Sequence, residues 1–457
     1  MISYGILYTN STRIYIHEKK KCYPFRGLDG CFLQIPCKKQ YRCAQWAKIH
    51  ICDLSLDNTE TSIPTYNSKN HLIEILGRIH DPQIELHVYY MHFVGKTIPP
   101  VTKFKPQIPP VDSNPIEVFS VDPESCIDID DAIRVDGDEI SVSIASVGEF
   151  MSEEWWHHAH EMGSTIYMLS QQYLFKDKPK WVAPNWIECM FPNQVKTSLL
   201  PNQKRRAITV YLTGKRANQI QRTNVINMHN YSYEEYNNNP PPQHKILSAY
   251  TNCEDSHDII EYLMIKANTI VAEHLKECLC RSQDEFQAAE YRWKSDPRGV
   301  AHASLALPIY GHFTSPIRRF ADIHTHYLLL QELVTDIPLK NYFIDITQVN
   351  RRSQAIRKFH NKQDLIIMVH MYKEPIECTM KVRDWGEMYL CEIIIDASIN
   401  NDHFNIMVNR NYLDSLCKDS LNQESLTNNN KDSPPIHKIR VWGVHRKGFP
   451  RLEIEFI

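Results

Sequence analysis

Apolar and polar residues alternate in short runs near both ends of the chain, and a longer, helical period takes over in the middle. Between Ile2 and about Val101 the runs are ISYGILY, RIYIHE, CFLQIP, KIHICDL and ELHVYYMHFV, separated by turn-forming residues. Alternation with period two buries one face of a strand, so these runs predict a small β-barrel. The proline-rich stretch IPPVTKFKPQIPPVDSNP follows and predicts an extended linker, with a domain boundary near 100–115.

Residues 116–146 predict a strand (IEVFSV), an acidic loop (DPESCIDIDD), a strand (AIRV), the turn DGDE and a strand (ISVSIAS). Asp136-Gly137 marks a hairpin, because such a turn needs positive φ and glycine adopts it without steric cost. Helical periodicity covers Phe150–Leu169, Asp258–Cys280, Ile317–Thr335 and Ile346–Tyr372. The tract NNNPPPQH at 237–244 predicts a loop, and SLNQESLTNNNKDSPP at 420–435 a longer disordered one. From Pro375 the runs IECTMKV, YLCEIII, FNIMV, KIRVWGV and LEIEFI predict five strands and a second barrel, of the oligonucleotide-binding type. The expected class is α+β.

A length of 457 residues predicts two to four domains, and 42% hydrophobic with 23% charged residues is the balance of a globular protein. The formal net charge of −3 excludes wholesale electrostatic capture of nucleic acid, so any such surface must be local. Basic clusters stand at Lys19-Lys20-Lys21, Lys38-Lys39, Lys204-Arg205-Arg206, Arg318-Arg319 and Arg351-Arg352, each of which alone is also what a solvated face looks like. Thirteen cysteines without a repeated ligand spacing read as reduced thiols of an intracellular protein. The cytoplasm is the first expectation, with nucleus or organelle open. The opening residues lack the apolar core of a signal peptide, and no run of eighteen apolar residues predicts a membrane span.

Four aspartates, Asp122, Asp128, Asp130 and Asp131, fall within ten residues, with Glu124 among them. Neighbouring carboxylates repel by roughly 1 kcal/mol per pair in water and by several times that when partly buried. Such a loop is either solvated or neutralised by a cation. Hard carboxylate oxygens suit Mg²⁺, with Mn²⁺ as an alternative, and two such ions about 4 Å apart promote phosphodiester hydrolysis. An EF-hand does not fit, since the glycine and glutamate its loop requires are missing. Farther on stands YGHFTSPIRRFADIHTHYL at 310–328. Pro316 suits a first helical turn and Ser315 its N-cap, which would put Arg318 and Arg319 beside free backbone amides that attract phosphate.

Together, VDPESCIDIDDAIRV and HFTSPIRRFADIHTH resemble the catalytic domain of the ribonuclease II family, also called RNB, which includes ribonuclease R and the exosome catalytic subunit. Further segments are similar to that family: GSTIYML at 163–169 with Tyr167, MFPNQVKTSLLPNQKRRA at 190–207 with Arg205, NYSYEEY at 230–236 with Tyr233, and IIEYLMIKANTIVA at 259–272 with Glu261 and Asn268. The resemblance covers roughly residues 72–372. It implies magnesium held by Asp122, Asp128, Asp130 and Asp131, with Asp128, Asp130 and Arg318 catalytic. It implies RNA contacts from Tyr167, Arg205, Tyr233, Ser315, Arg318 and Arg319. The implied activity is hydrolytic removal of nucleoside 5′-monophosphates from the 3′ end of single-stranded RNA by a monomer without a membrane partner. The implied architecture is a cold-shock-like barrel over 1–104, an RNB catalytic domain over 105–373 and an oligonucleotide-binding-like barrel over 374–457. The sequence departs from the family at Ser143, Ser146, Phe320, Tyr327 and His360 and is shortened after Tyr233. These departures favour, as the alternative, an RNA-binding regulator that has lost turnover.

Overall fold

The computed structural model describes residues 1–52, 64–95, 114–124, 126–168, 187–191, 197–285, 287–334, 342–385, 388–397, 400–419 and 436–456. The middle of the proline-rich linker and the 420–435 tract, expected to be extended and disordered, lie outside them. Two compact units emerge. One gathers Met1–Thr97, Tyr167–Ile187 and Gln354–Ile457; the other comprises Ile98–Ile166 and Glu188–Ser353.

In the first unit the amino-terminal strands form one seven-stranded sheet. Its order is Thr65–Tyr66, Phe32–Pro36, Lys20–Gly27, Ile2–Leu7, Gln45–His50 and His71–Arg78, with Tyr15–His17 paired to Lys20–Gly27. Leu7, Tyr23, Phe25, Leu33, Ile35, Ala47 and Ile49 fill its buried face. One expected strand is not a strand. ELHVYYMHFV lies in a helix, Pro82–Phe93, because Asp81 accepts hydrogen bonds from the amides of Gln83 (3.0 Å) and Ile84 (3.3 Å) while Pro82 occupies the first helical turn. A side-chain cap and a pre-set φ start a helix that the apolar pattern alone leaves undecided.

The carboxy-terminal strands agree with the expectation in number. They form a five-stranded sheet in the order Asn400–Asn409, Met388–Ala397, Ile376–Trp385, Ile436–Arg446 and Phe449–Phe456, with a helix Arg410–Asp419 after the third strand in sequence. The helix Ile346–Met371 ends against this sheet at Gly443, where a Cβ would meet the Cα of Val369 at 2.3 Å. Among the described residues neither outer sheet closes on itself, so the two expected barrels are open sheets of a mixed α and β architecture.

The closed barrel is in the second unit. Its strands are Glu139–Ala145, Lys204–Tyr211, Ile220–Ser232, Ile116–Asp122 and Asp131–Asp136. Alternate residues point to different cores. Phe119, Val121, Ile133, Ile140, Val142 and Ile144 pack with Ile259, Leu263 and Ile270 of the helix Ser256–His274, whereas Val118, Ala132, Ala145 and Ala207 pack with Trp155 and Trp156 of the helix Glu153–Met162. Burial of both faces explains the nearly continuous apolar runs of these strands. The expected hairpin is present, with Gly137 at φ 63°.

Candidate active site

The acidic loop joins two barrel strands and is fastened at several points. The amide of Ile129 donates to Ser198 Oγ (3.0 Å), the Ser198 hydroxyl donates to the Ile127 carbonyl (2.7 Å), and the Leu199 amide donates to the Ile129 carbonyl (3.0 Å). Ala145 N–H closes on the Asp130 carbonyl at 2.8 Å. A loop of like charges can therefore stay ordered because its backbone donors and acceptors are satisfied by the neighbouring strand and turn. Asp122 ends the strand Ile116–Asp122 and pairs in register with Ser232, while Asp131 opens its own strand opposite Ile144.

Asp130 is buried, and both its oxygens are engaged by the second motif. Oδ1 accepts from the Ile317 amide (2.8 Å) and Oδ2 from Arg318 Nε (3.2 Å). Arg318 also donates from its Nη2 to Ser315 Oγ (3.2 Å), and its side chain is 48% exposed. The Arg318 carbonyl accepts from the Thr165 amide (3.0 Å) and the Ser164 hydroxyl (2.7 Å). Two segments 188 residues apart are thus locked together at one carboxylate.

The helix expected from Ile317 begins later, at Phe320, and Ser315 is not its cap. Asp130 takes the Ile317 amide, and Asp322 takes the Ser315 amide at 2.7 Å, so the residues between form a turn that folds back on two buried carboxylates. The amides counted on for phosphate are spent inside the turn, that of Ile317 on Asp130 and those of Arg318 and Arg319 on the Ser315 carbonyl. Arg319 points inward, donating to Asp322 Oδ1 (2.9 Å) and lying 3.3 Å from His312 Nε2. Arg205 is likewise held by its own chain, donating to the Ser198 (3.0 Å) and Lys204 (3.0 Å) carbonyls and to the Gln203 side chain. Asn268 is buried and orders the motif, accepting from the amides of Phe313 (2.6 Å) and Thr314 (3.3 Å), whereas Glu261 is exposed on the same helix.

Tyr233 follows Ser232, the strand residue paired with Asp122, and opens a short helix that reaches into the expected 237–244 loop. The Ser232 and Glu235 side chains cap that helix reciprocally, and the Tyr233 ring stacks on His257 at 3.6 Å between centroids. Its hydroxyl pKa is pushed up to about 12, by burial first and by Asp131 and Asp122 next. Tyr167 belongs to the other compact unit, where its carbonyl accepts from Gln363 at 3.5 Å.

Burial dominates the charge state of the aspartates. It raises Asp122 to about 6 and Asp130 and Asp131 to about 7, with Arg318 pulling each of them back down and neighbouring aspartates adding to the rise. Asp128 is raised for the same first reason. Asp122 Oδ2 is buried without a hydrogen-bond partner. A carboxylate oxygen in that position costs free energy unless a cation or proton meets it. Asp122, Asp128 and Asp131 therefore suit a divalent cation, while Asp130 is committed to the arginine turn. No three of these aspartates bring oxygens within 4.8 Å of one another, the spacing that Glu85, His370 and His445 do reach. The aspartate set fits an ion that keeps several of its waters, as Mg²⁺ does.

Sequence reasoning passed over Ser198, Asp322 and Gly163 to Thr165 as supports. Asp322 stood inside the quoted arginine motif, Ser198 inside MFPNQVKTSLLPNQKRRA and Gly163 to Thr165 inside GSTIYML, but their supporting role exists only where distant segments meet.

The site is therefore a closed barrel whose strand ends carry aspartates locked to an arginine turn. Residues 282–335 match the RNB domain family. A stretch of 85 residues is 40% identical to Ribonuclease R of Escherichia coli, covering 18% of this chain and 10% of that protein. Another of 39 residues is 56% identical to DIS3-like exonuclease 2 of Xenopus tropicalis, covering 8% and 5%. The aligned stretches thus span a tenth or less of these relatives. Across 100% of its length the chain superposes on the apo form of RNase R from Mycoplasma genitalium (TM-score 0.59, 15% identity, 90% of that chain). It also superposes on yeast Ssd1, a pseudonuclease (TM-score 0.58, 12% identity, 83% of that chain). In motif over residues 282–335, and in fold over the whole chain, the protein is thus similar to RNB proteins.

Proposed function

We propose that the chain is a hydrolytic 3′-to-5′ exoribonuclease that acts as an intracellular monomer on single-stranded RNA and releases nucleoside 5′-monophosphates with Mg²⁺, or Mn²⁺, as cofactor. The observation that carries this reading is the 3.2 Å contact between Arg318 Nε and Asp130 Oδ2, which holds an exposed guanidinium over the carboxylate loop. Ribonuclease R of Mycoplasma genitalium has been solved with single-stranded and with double-stranded RNA, which supports RNA as the ligand of this fold.

In the proposed reaction, water attacks the phosphorus of the last linkage, the bond to the 3′ oxygen of the preceding nucleotide breaks, and that oxygen takes a proton. A divalent cation supplies charge neutralisation and a more acidic water when bound. Asp122, Asp128 and Asp131 would hold it. Arg318, oriented by Asp130 and Ser315, grips the scissile phosphate, and preorganised charge of this kind is usually the largest contribution to such catalysis. Tyr233, fixed against His257, would offer a ring face to a base, Tyr167 would do so within its own unit, and Arg205 and Arg319 act by holding the turns that carry the site. The sheets of 1–104 and 374–457 would bind single strands by stacking and local positive charge, and the domain over 105–373 would carry the catalysis.

A second reading, an RNA-binding regulator without turnover, is favoured by the commitment of both Asp130 oxygens to protein donors. Incubation of single-stranded RNA with the protein and Mg²⁺ separates the two. Release of 5′-mononucleotides from the 3′ end is expected; an intact strand that is nevertheless retarded on a native gel would establish the regulator.

A further inference from the structure

Away from the aspartate loop, in the compact unit built from both chain ends, a carboxylate is buried completely. Glu85 sits in the helix Pro82–Phe93 and is 0% exposed. Its Oε2 lies 2.9 Å from His370 Nε2, and its Oε1 lies 3.0 Å from His445 Nε2. The three come from separate elements: His370 from the last turn of Ile346–Met371 and His445 from the strand Ile436–Arg446. The His80 amide also donates to Glu85 Oε1 (3.2 Å), and His80 holds a left-handed φ of 66° to do so. The His80 ring lies over His445 at 4.2 Å between centroids. The ligand atoms of Glu85, His370 and His445 all fall within 4.8 Å of one another.

We propose that Glu85, His370 and His445 form a binding site for a transition-metal ion of the Zn²⁺ class. Two imidazole nitrogens and one carboxylate oxygen make a borderline donor set that prefers such ions over Mg²⁺. Ligands about 2.1 Å from a tetrahedral centre stand about 3.4 Å apart, so the observed 2.9 and 3.0 Å separations need open by only a few tenths of an ångström. Three protein ligands leave a fourth position for water. The ion would replace the protons now between these groups and tie two helices and a strand of one unit together. The site is independent of the nuclease reading.

The competing account is a buried carboxylate paired with two imidazole N–H groups and nothing else. The test uses the full chain, stripped with a chelator and titrated with Zn²⁺ in competition with a chromophoric chelator, with Co²⁺ as a spectroscopic stand-in. One tight equivalent is expected, with an intense visible Co²⁺ band from low coordination and a raised Tm. The Asp128→Asn, Asp131→Asn double variant should keep that equivalent, whereas His445→Gln and His370→Gln should each weaken it by more than the about tenfold that loss of an outer-shell partner costs. Equal binding by wild type and both histidine variants, no tight equivalent at all, or loss in the aspartate variant alone would overturn the proposal. Should a histidine variant not fold, X-ray absorption of the Zn²⁺-loaded wild type decides: imidazole scattering supports the site and its absence refutes it.

Discussion

Asp130 has a clear structural role, and its proposed chemical role can be tested beside it. Its carboxylate accepts from a backbone amide and from a guanidinium, so replacing it with asparagine keeps one acceptor but turns an NH₂ donor toward an amide or toward Arg318. Asp130→Asn should lower the rate of mononucleotide release at least about a hundredfold while single-stranded RNA binding persists. Wild-type turnover by the folded variant in a 3′-labelled RNA assay would refute the assignment. A second residue-scale prediction concerns acid. His324 and His326 are buried and held neutral, their pKa values pushed down to about 3 by burial. An unfolded imidazole titrates near 6.5, so each histidine's contribution is complete above that pH and is lost as pH falls toward 3, by up to about 1.4 kcal/mol per pH unit. The raised aspartates act in the opposite sense: their contribution is present at low pH and lost as pH rises through about 6 to 7. Comparison of His324→Phe with wild type isolates the histidine effect. The urea midpoint at pH 5 minus that at pH 7 should be more positive for the variant than for wild type, and an unchanged difference would refute the histidine contribution.

At the scale of elements, the arginine turn depends on a neighbour in space rather than in sequence. Gly163 ends the helix Glu153–Met162 with φ 74°, its carbonyl accepts from the Phe320 amide (3.0 Å), and an added Cβ would stand 2.8 Å from Arg352 Cβ. Gly163→Ala therefore meets both a left-handed backbone and a close contact, and should cost about 1 kcal/mol or more in stability. Because Ser164 and Thr165 hold the Arg318 carbonyl, the same variant should reduce kcat more than it raises KM. Steady-state kinetics with a short RNA checks this; unchanged kcat would detach Gly163 from the site. Much of the element map was already legible. Four helices stood at the spans that period 3.6 gave them, but the first stops at Met162 before a strand at Ile166–Tyr167 and the second at His274 before a strand at Leu279–Ser282, while the Asp136-Gly137 hairpin stood where glycine allowed positive φ. The segment 82–93 was misread because its apolar residues fit either period, and the Asp81 cap with Pro82 was the deciding signal.

For the molecule as a whole, the two ends of the chain share one compact unit. Trp46 is fully buried and meets Phe449 edge-on at 5.6 Å, and Gly448 approaches Ile6 closely enough that a Cβ would lie 2.7 Å from its Cδ1. A chain that starts at residue 105 would leave Phe449 and the carboxy-terminal sheet without this cover, exposing apolar area at about 25 cal/mol per Å². Limited proteolysis should cut residues 374–457 faster in that fragment than in the full chain, while the closed barrel resists equally in both. Equal protection of the tail would show that the carboxy-terminal sheet is independently stable.

Alternation, turn residues and the two motifs by themselves determined the class of fold and singled out the aspartates and the arginine proposed for the site, because period, φ preference and charge are local properties of the chain. Which aspartate is spent on the arginine, which arginines turn inward, and that Glu85 meets His370 and His445 were decided only by tertiary structure. Those outcomes rest on contacts 188, 285 and 360 residues apart, which are set by how buried surfaces pack and which no local pattern encodes.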